Sequence, residues 1–313
     1  MMIYNNSFRE ALGHALLDAG EVFKNIVVID TDLARSTRTQ YFAERFPDRF
    51  IQVGISEQDA VGTSAGLAIG GKTPILVSYA MFILRGWEQI RNTISRDNLN
   101  VKIVGTHSGL SDYLDGSSHQ CLEDVALMRI LPNFTVISPS DTISTYSLVI
   151  QAIEQYGPVY IRLGRDNAET IYKTEDEVTI GEANTILDGE DFTLVSYGGM
   201  LPITLKAAKI LVKKGYRPRV IDIHTIKPLD KKILYKAAIE ASPIVVVEDH
   251  SVYGGLGSAV AEYLSNEKPT KVLRIGMDDR FGTGDLTYEG LLEYVGLSPR
   301  RIAERIVGEL NGI

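Results

Sequence analysis

The chain has 313 residues and a net charge of -8, with 44% hydrophobic and 23% charged residues, enough for about two globular domains with cores of their own. Lys and Arg are spread along an acidic chain, which excludes a partner held through nucleic-acid phosphates and gives no reason to expect an anionic membrane surface. The single cysteine, Cys121, excludes an internal disulfide framework and thiolate-rich metal sites.

The first residues, Met1 to Asn6, show no charged-then-apolar signal pattern. The longest apolar runs are only strand-sized, so a cytoplasmic location is the expectation. Ser7 and Glu10 have capping-box spacing. Phe8, Ala11, Leu12, Ala15 and Leu16 follow at helical spacing. Ile26 to Ile29 is a β-branched run without alternation, which suits a strand covered on both faces. The pattern recurs at 75–77, 101–104, 136–137 and 159–163, separated by helical segments at 57–69, 85–96, 122–131 and 141–156. Residues 166–190 are polar and acidic with no strong period. A second unit then alternates strands at 192–197, 219–223, 244–248 and 271–275 with helices at 201–214, 230–240 and 257–264. Ser298 and Pro299 open a last helix. This βαβ order predicts an α/β fold of two doubly wound domains with mostly parallel sheets. The domains fall at 1–168 and 191–313, with a linker at 169–190.

Five segments could carry chemistry. Gly54 to Gly62 follows a strand at 50–53 and opens a helix of small residues. Glu57 stands at that strand-to-helix junction, where open α/β sheets bind ligands; it would equally favour a helix N-terminus. Tyr79 and Phe82 follow the strand at 75–78 and suit either a pocket wall or the core. His107 and His119 lie on one Gly/Ser/Asp-rich loop with Asp112, Tyr113 and Asp115. Histidines and a carboxylate can move protons among substrate hydroxyls near neutral pH; their spacing fits no zinc pattern. Arg162 and Arg165 end a strand, where a guanidinium suits a phosphate or an ion pair. Glu248 to Gly257 is a glycine-rich turn before a helix. It reads as a weak phosphate loop, or as glycines placed for close strand–helix packing.

In order and spacing, these segments together resemble the transketolase group of thiamine-diphosphate enzymes. Gly54 to Gly66 resembles the group's glutamate helix, and Tyr79 with Phe82 its pyrimidine-stacking aromatics. Thr106-His107 and Asp115-Gly116-x-x-His119-Gln120 resemble its two histidine motifs. Pro158 to Arg165 resembles the strand ending in a substrate-phosphate arginine, and Val247 to Gly257 the C-terminal domain. The resemblance covers two of the group's three domains. The Gly-Asp-Gly motif that holds diphosphate and metal does not occur.

The resemblance implies thiamine diphosphate as cofactor, with Mg2+ or Ca2+ held mainly by a partner chain, the N-terminal transketolase subunit. It implies sugar phosphates as substrates and two copies of each chain in a heterotetramer. Glu57 would bond the aminopyrimidine, Tyr79 and Phe82 would wall it, and Asp32 would lie near the thiazolium. His107 and His119 would be catalytic, Asp115 would read a hydroxyl, and Arg165 would hold the phosphate. Ser117-Ser118, Tyr113-Leu114 and Gly164 depart from the group's usual residues, which leaves the sugar open. 1-Deoxyxylulose-5-phosphate synthases share the second histidine motif but lack the first. The β subunits of 2-oxo-acid dehydrogenases lack the second. A non-catalytic scaffold subunit is the remaining alternative.

Overall fold

The computed structural model describes residues 6–166, 168–285 and 287–311; of the N-terminal stretch read for a signal pattern, it describes only Asn6. Two sheets form the frame. The strands in chain order are β1 (Ile26–Asp30), β2 (Phe50–Gln52), β3 (Thr73–Tyr79), β4 (Lys102–Thr106), β5 (Thr135–Ile137), β6 (Val159–Arg162), β7 (Asn184–Leu187), β8 (Phe192–Ser196), β9 (Pro218–Asp222), β10 (Thr225–Lys227), β11 (Ile244–Ser251) and β12 (Val272–Met277). The first sheet runs β10-β5-β6-β4-β3-β1-β2 and the second β12-β11-β8-β9-β7. All pairings are parallel except those of β10 with β5 and β7 with β9. The expected pair of mostly parallel α/β domains is present.

The uninterrupted apolar runs are explained by covering on both faces. In the first sheet Val27, Ile29, Leu76 and Ile103 face one cluster. Their neighbours Ile26, Val28, Ile75, Val77 and Val104 face another, under helices Phe8–Val22 and Thr142–Glu154. The first of these clusters also takes Val195, Ile221, Ile244 and Val246 from the second sheet. One apolar layer is therefore shared between the two domains, which fixes their relative placement.

Local signals act largely as read. The Ser7 hydroxyl accepts from the Glu10 N–H at 3.5 Å. The Glu10 carboxylate does not complete the box; it accepts from Arg38 at 2.6 Å and from the Tyr41 hydroxyl at 2.8 Å. Helix Glu57–Ile69 matches the reading to the residue, and helix Pro299–Asn311 starts after Ser298.

Other parts differ. Residues 184–187, read as linker, form edge strand β7, whose burial alternates with Asn184 and Ile186 half-buried, so only one of its covered positions is apolar. The same segment is tied down earlier, where the Ile171 and Tyr172 N–H groups donate to Asp141 Oδ2 at 2.8 and 2.9 Å. The helix expected at 85–96 is instead a 3-10 turn, one short α turn and a π-helical stretch, Ile90–Ser95. Strand β10 and the short helices Ala34–Thr37 and Gln40–Arg45 carry too little periodic signal to be read from sequence, whereas helix Tyr288–Val295 goes unread although Tyr288, Leu291, Leu292 and Val295 have helical spacing.

Candidate active site

Because β1, β2, β3, β4 and β6 are parallel, their carboxyl ends open on one edge of the first sheet, where α/β folds bind ligands. Asp32 follows β1, Glu57 follows β2, Tyr79 ends β3, His107 follows β4 and Arg165 follows β6. The register pairs Tyr79 with Thr106, so Tyr79 and His107 emerge side by side.

A string of contacts results. The Tyr79 ring stacks on His107 with centroids 3.7 Å apart, and on Phe82 at 5.2 Å and an 18° interplanar angle. Phe82 meets the His119 ring edge-on at 5.3 Å. The Arg85 guanidinium lies over Phe82 at 5.0 Å, and its Nη1 reaches both Glu57 oxygens at 3.2 and 3.3 Å. Glu57 is 5% exposed and Arg85 58%, so the carboxylate is buried while its cation stays in reach of water. The structure thus brings Glu57, Tyr79, Phe82, His107 and His119 together. Arg85, which the sequence reading missed, joins them; its spacing of three residues from Phe82 was the available signal.

His107 has φ +55°, a left-handed backbone that a non-glycine residue adopts at a cost. The Thr106 hydroxyl donates to the Ser78 carbonyl at 3.2 Å. Its oxygen therefore accepts from His107 Nδ1–H at 3.0 Å, which assigns the proton to Nδ1 and leaves Nε2 an acceptor. Burial, then the charges of Arg9, Arg165 and His119, pushes His107 down to about 2. The ring is neutral throughout the physiological range.

A second group adjoins the string. Arg165 Nη1 donates to Asp112 Oδ1 at 3.3 Å, and Asp115 stands exposed on the same loop. Burial, and then the charge of Asp115, pushes the Asp112 carboxyl up to about 6, with Arg165 opposing. Asp32 stands apart, beyond β1. It has φ +68°, its N–H donates to Gln52 Oε1 at 2.8 Å, and its side chain is exposed. Tyr113 is half-buried against Tyr288 at 6.2 Å, and its carbonyl accepts from the Asp285 N–H at 2.9 Å. It ties the histidine loop to the second domain.

Two readings resolve toward structure. Arg162 is 2% exposed. Its Nε lies 3.0 Å from Asp124 Oδ2 and its Nη1 donates to Asp249 Oδ1 at 2.8 Å, so it joins the domains rather than facing a ligand. Asp249 also crowds Gly109, where a Cβ would fall 1.9 Å from Oδ2 and where φ is +58°; the histidine loop can pass there only as glycine. The weak phosphate-loop reading of 248–257 is corrected. Glu248 Oε2 and Oε1 accept from the Leu256 and Gly257 N–H groups, each at 2.9 Å, so a carboxylate already fills that helix N-terminus. A Cβ on Gly255 would lie 2.3 Å from Glu248 Oε2, which makes close packing the reason for the glycine.

Comparison with known proteins gives the family. A model of the transketolase pyrimidine-binding domain matches residues 5–170, and a model of the transketolase C-terminal domain matches residues 181–302. A Methanocaldococcus jannaschii protein named as a transketolase C-terminal section is 44% identical over 307 residues, spanning 97% of this chain and 96% of that protein. The 6-deoxy-6-sulfo-D-fructose transketolase subunit SqwH of a Clostridium species is 36% identical over 295 residues, spanning 94% and 91%. A solved split-gene transketolase, an inactive β4 tetramer, superposes with a TM-score of 0.90 at 42% identity, spanning 97% of this chain and 98% of that one. The chain belongs to the transketolase family and is similar to its C-terminal section.

Proposed function

We propose that this chain is the C-terminal subunit of a split transketolase, which moves a two-carbon ketol unit from a ketose phosphate to an aldose phosphate with a separate diphosphate-binding subunit. The observation that carries the reading is the continuous string from Glu57 through Arg85, Phe82 and Tyr79 to His107 and His119 on one sheet edge. The split-gene relative, solved as an inactive tetramer of one chain type, supports the need for a second subunit. We extend this to a heterotetramer of two copies of each chain, with the first domain at 1–168 and the second opening before β7 rather than at 191.

The residues fit thiamine diphosphate. A buried carboxylate beside two stacked aromatic rings suits an aminopyrimidine, whose ring nitrogen needs one bond and whose face needs a flat wall. Among the described residues no group of three or more His, Cys, Asp or Glu side chains could hold a metal ion. We assign the diphosphate and its Mg2+ or Ca2+ to the partner, because the Gly-Asp-Gly motif that holds them in the group does not occur in this sequence. When bound, the cofactor supplies a nucleophilic carbon and an electron sink for cleaving a carbon–carbon bond.

This chain's residues do the rest. Glu57 would hold the pyrimidine nitrogen, which requires Arg85 to move aside. Tyr79 and Phe82 would wall the ring, and Asp32 would lie near the thiazolium. His107, neutral, accepts a hydrogen bond from a substrate hydroxyl at Nε2, since its Nδ1–H is committed to Thr106. His119 takes a second hydroxyl. Asp115 and Arg165 read the far end of the sugar. No helix among the described residues is long and apolar enough to cross a membrane.

The test is ketol transfer from xylulose 5-phosphate to ribose 5-phosphate by this chain with its copurifying partner, thiamine diphosphate and magnesium. Each component is omitted in turn, and activity is expected only with all of them. Turnover of pyruvate in place of ketose would move the enzyme to the decarboxylating relatives. Transfer by the partner alone would leave this chain a scaffold.

A further inference from the structure

Arg165, assigned above to a substrate phosphate, is not a free guanidinium. Its Nη1 bonds Asp112 at 3.3 Å. Its backbone N–H donates to Ser111 Oγ at 3.1 Å, and that hydroxyl donates to the Ser108 carbonyl at 2.7 Å. Loop 108–112 thus wraps around the arginine. The neighbouring Asp166 is already claimed by Arg9, whose Nη2 donates to both its oxygens at 2.8 Å, and it stands 3.5 Å from Arg165 Nε. Two guanidiniums therefore face three carboxylates, Asp112, Asp115 and Asp166. A dianion entering this subsite finds no excess of positive charge to meet it.

Asp112 carries the argument. It is fully buried, and its Oδ2 has no hydrogen-bond partner among the described residues; Arg165 Nε is likewise buried without one. Buried polar atoms are nearly always paired, so such exceptions need a reason. Burial, and then the charge of Asp115, raises the Asp112 carboxyl, so Asp112 also interacts with the second carboxylate of the loop. One side chain thus governs both groups expected to read the far end of the sugar, without itself being open to substrate.

We propose that Asp112 is a specificity-determining positioning residue, which pairs with Arg165 and lowers the preference of this site for a sugar ending in phosphate over the same sugar ending in a hydroxyl. The inference takes its substrate class from the transketolase reading, but its geometry stands without it.

The experiment is calorimetric binding of ribose 5-phosphate and of ribose to the full chain, alone and with its partner subunit. It compares wild type, Asp112→Asn, Arg165→Met and the double variant. Removing one negative charge beside Arg165 is expected to tighten ribose 5-phosphate binding by about tenfold, leave ribose unchanged, and do neither when Arg165 is also replaced. An Asp112→Asn variant with unchanged affinity for ribose 5-phosphate overturns the proposal. So does a gain that persists without Arg165, or an equal change for both sugars, which is the mark of a merely structural role. Arg165→Met alone removes the arginine while Asp112 keeps its place, so it reports whether the phosphate reaches that side chain. Loss of ketol transfer with the Asp112→Asn gain intact refutes the transketolase reading alone; transfer without the gain refutes the subsite alone.

Discussion

Replacing Arg162 by methionine removes the one cation between two buried carboxylates. Asp124 and Arg162 belong to the first domain and Asp249 to the second. The guanidinium lies 3.0 and 3.2 Å from the two Asp124 oxygens, donates to Asp249 Oδ1 at 2.8 Å, and reaches the Asp249 carbonyl at 3.3 Å. Burial works against its charge, but Asp124 and then Asp249 outweigh that and hold it well above the usual arginine range. Methionine keeps much of the volume yet leaves both carboxylates buried, with only Tyr160 at 2.8 Å on Asp124 and the Leu110 N–H at 3.4 Å on Asp249. Breaking a buried pair by removing one partner costs about 3 to 5 kcal/mol. An unfolding entropy of ~2.1 cal/mol/K per residue over a chain of this length converts that to a fall of about 5 to 8 °C in Tm. Scanning calorimetry reads it, and the variant is expected to split into two transitions because the shared joint is weakened. Asp249→Asn should fall by less, and Arg162→Met with Asp124→Asn should recover part of the loss, since fewer charges are left unpaired. A single transition within about 1 °C of wild type would refute the view that this network joins the domains.

Two further predictions concern single side chains. Glu57→Gln is expected to lower ketol transfer by about a hundredfold or more and to shift Tm by less than about 2 °C, because glutamine keeps the shape of the buried side chain and the exposed Arg85 turns to water. Turnover within tenfold of wild type would remove Glu57 from the mechanism. Lys102 is fully buried at the start of β4, where its Nζ donates to the Gln155 and Gly157 carbonyls at 2.6 and 2.7 Å, and burial pushes it down to about 7. Between pH 7 and the ordinary lysine value near ~10.4, the unfolded chain holds a proton that the folded chain lacks. Stability therefore rises with pH in that window, by at most about 1.4 kcal/mol per pH unit, and the penalty is full below pH 7. The urea midpoint should climb from pH 7 to 9 in wild type and climb less in Lys102→Met; identical slopes would show that Lys102 keeps its proton.

What was legible in the sequence was local. Ile26 to Ile29 and Ile244 to Val247 announce strands covered on both faces because no polar residue interrupts them. Ser7, Ser298 and Pro299 mark helix starts because a cap is a contact of three or four residues. Glu57 could be placed at a strand-to-helix junction for the same reason. The family motifs set its neighbours in order along the chain, though not in space.

The rest depended on which distant segments meet. Tyr79 and His107 stack only because β3 and β4 are neighbours in register, and nothing in either segment states that pairing. Arg162 and Arg165 look alike in sequence. The sheet turns the first inward to two carboxylates, while the second stays at the open edge, paired with Asp112. The glycines at 254–257 could serve a phosphate or a packed helix, and the Glu248 carboxylate decided it by occupying the helix N-terminus. Periodicity and caps are fixed by neighbours a few residues away. Ion pairs, ring stacks and the shared core layer depend on chain closure and packing over scores of residues, where many partners satisfy the same pattern and only the folded chain selects one.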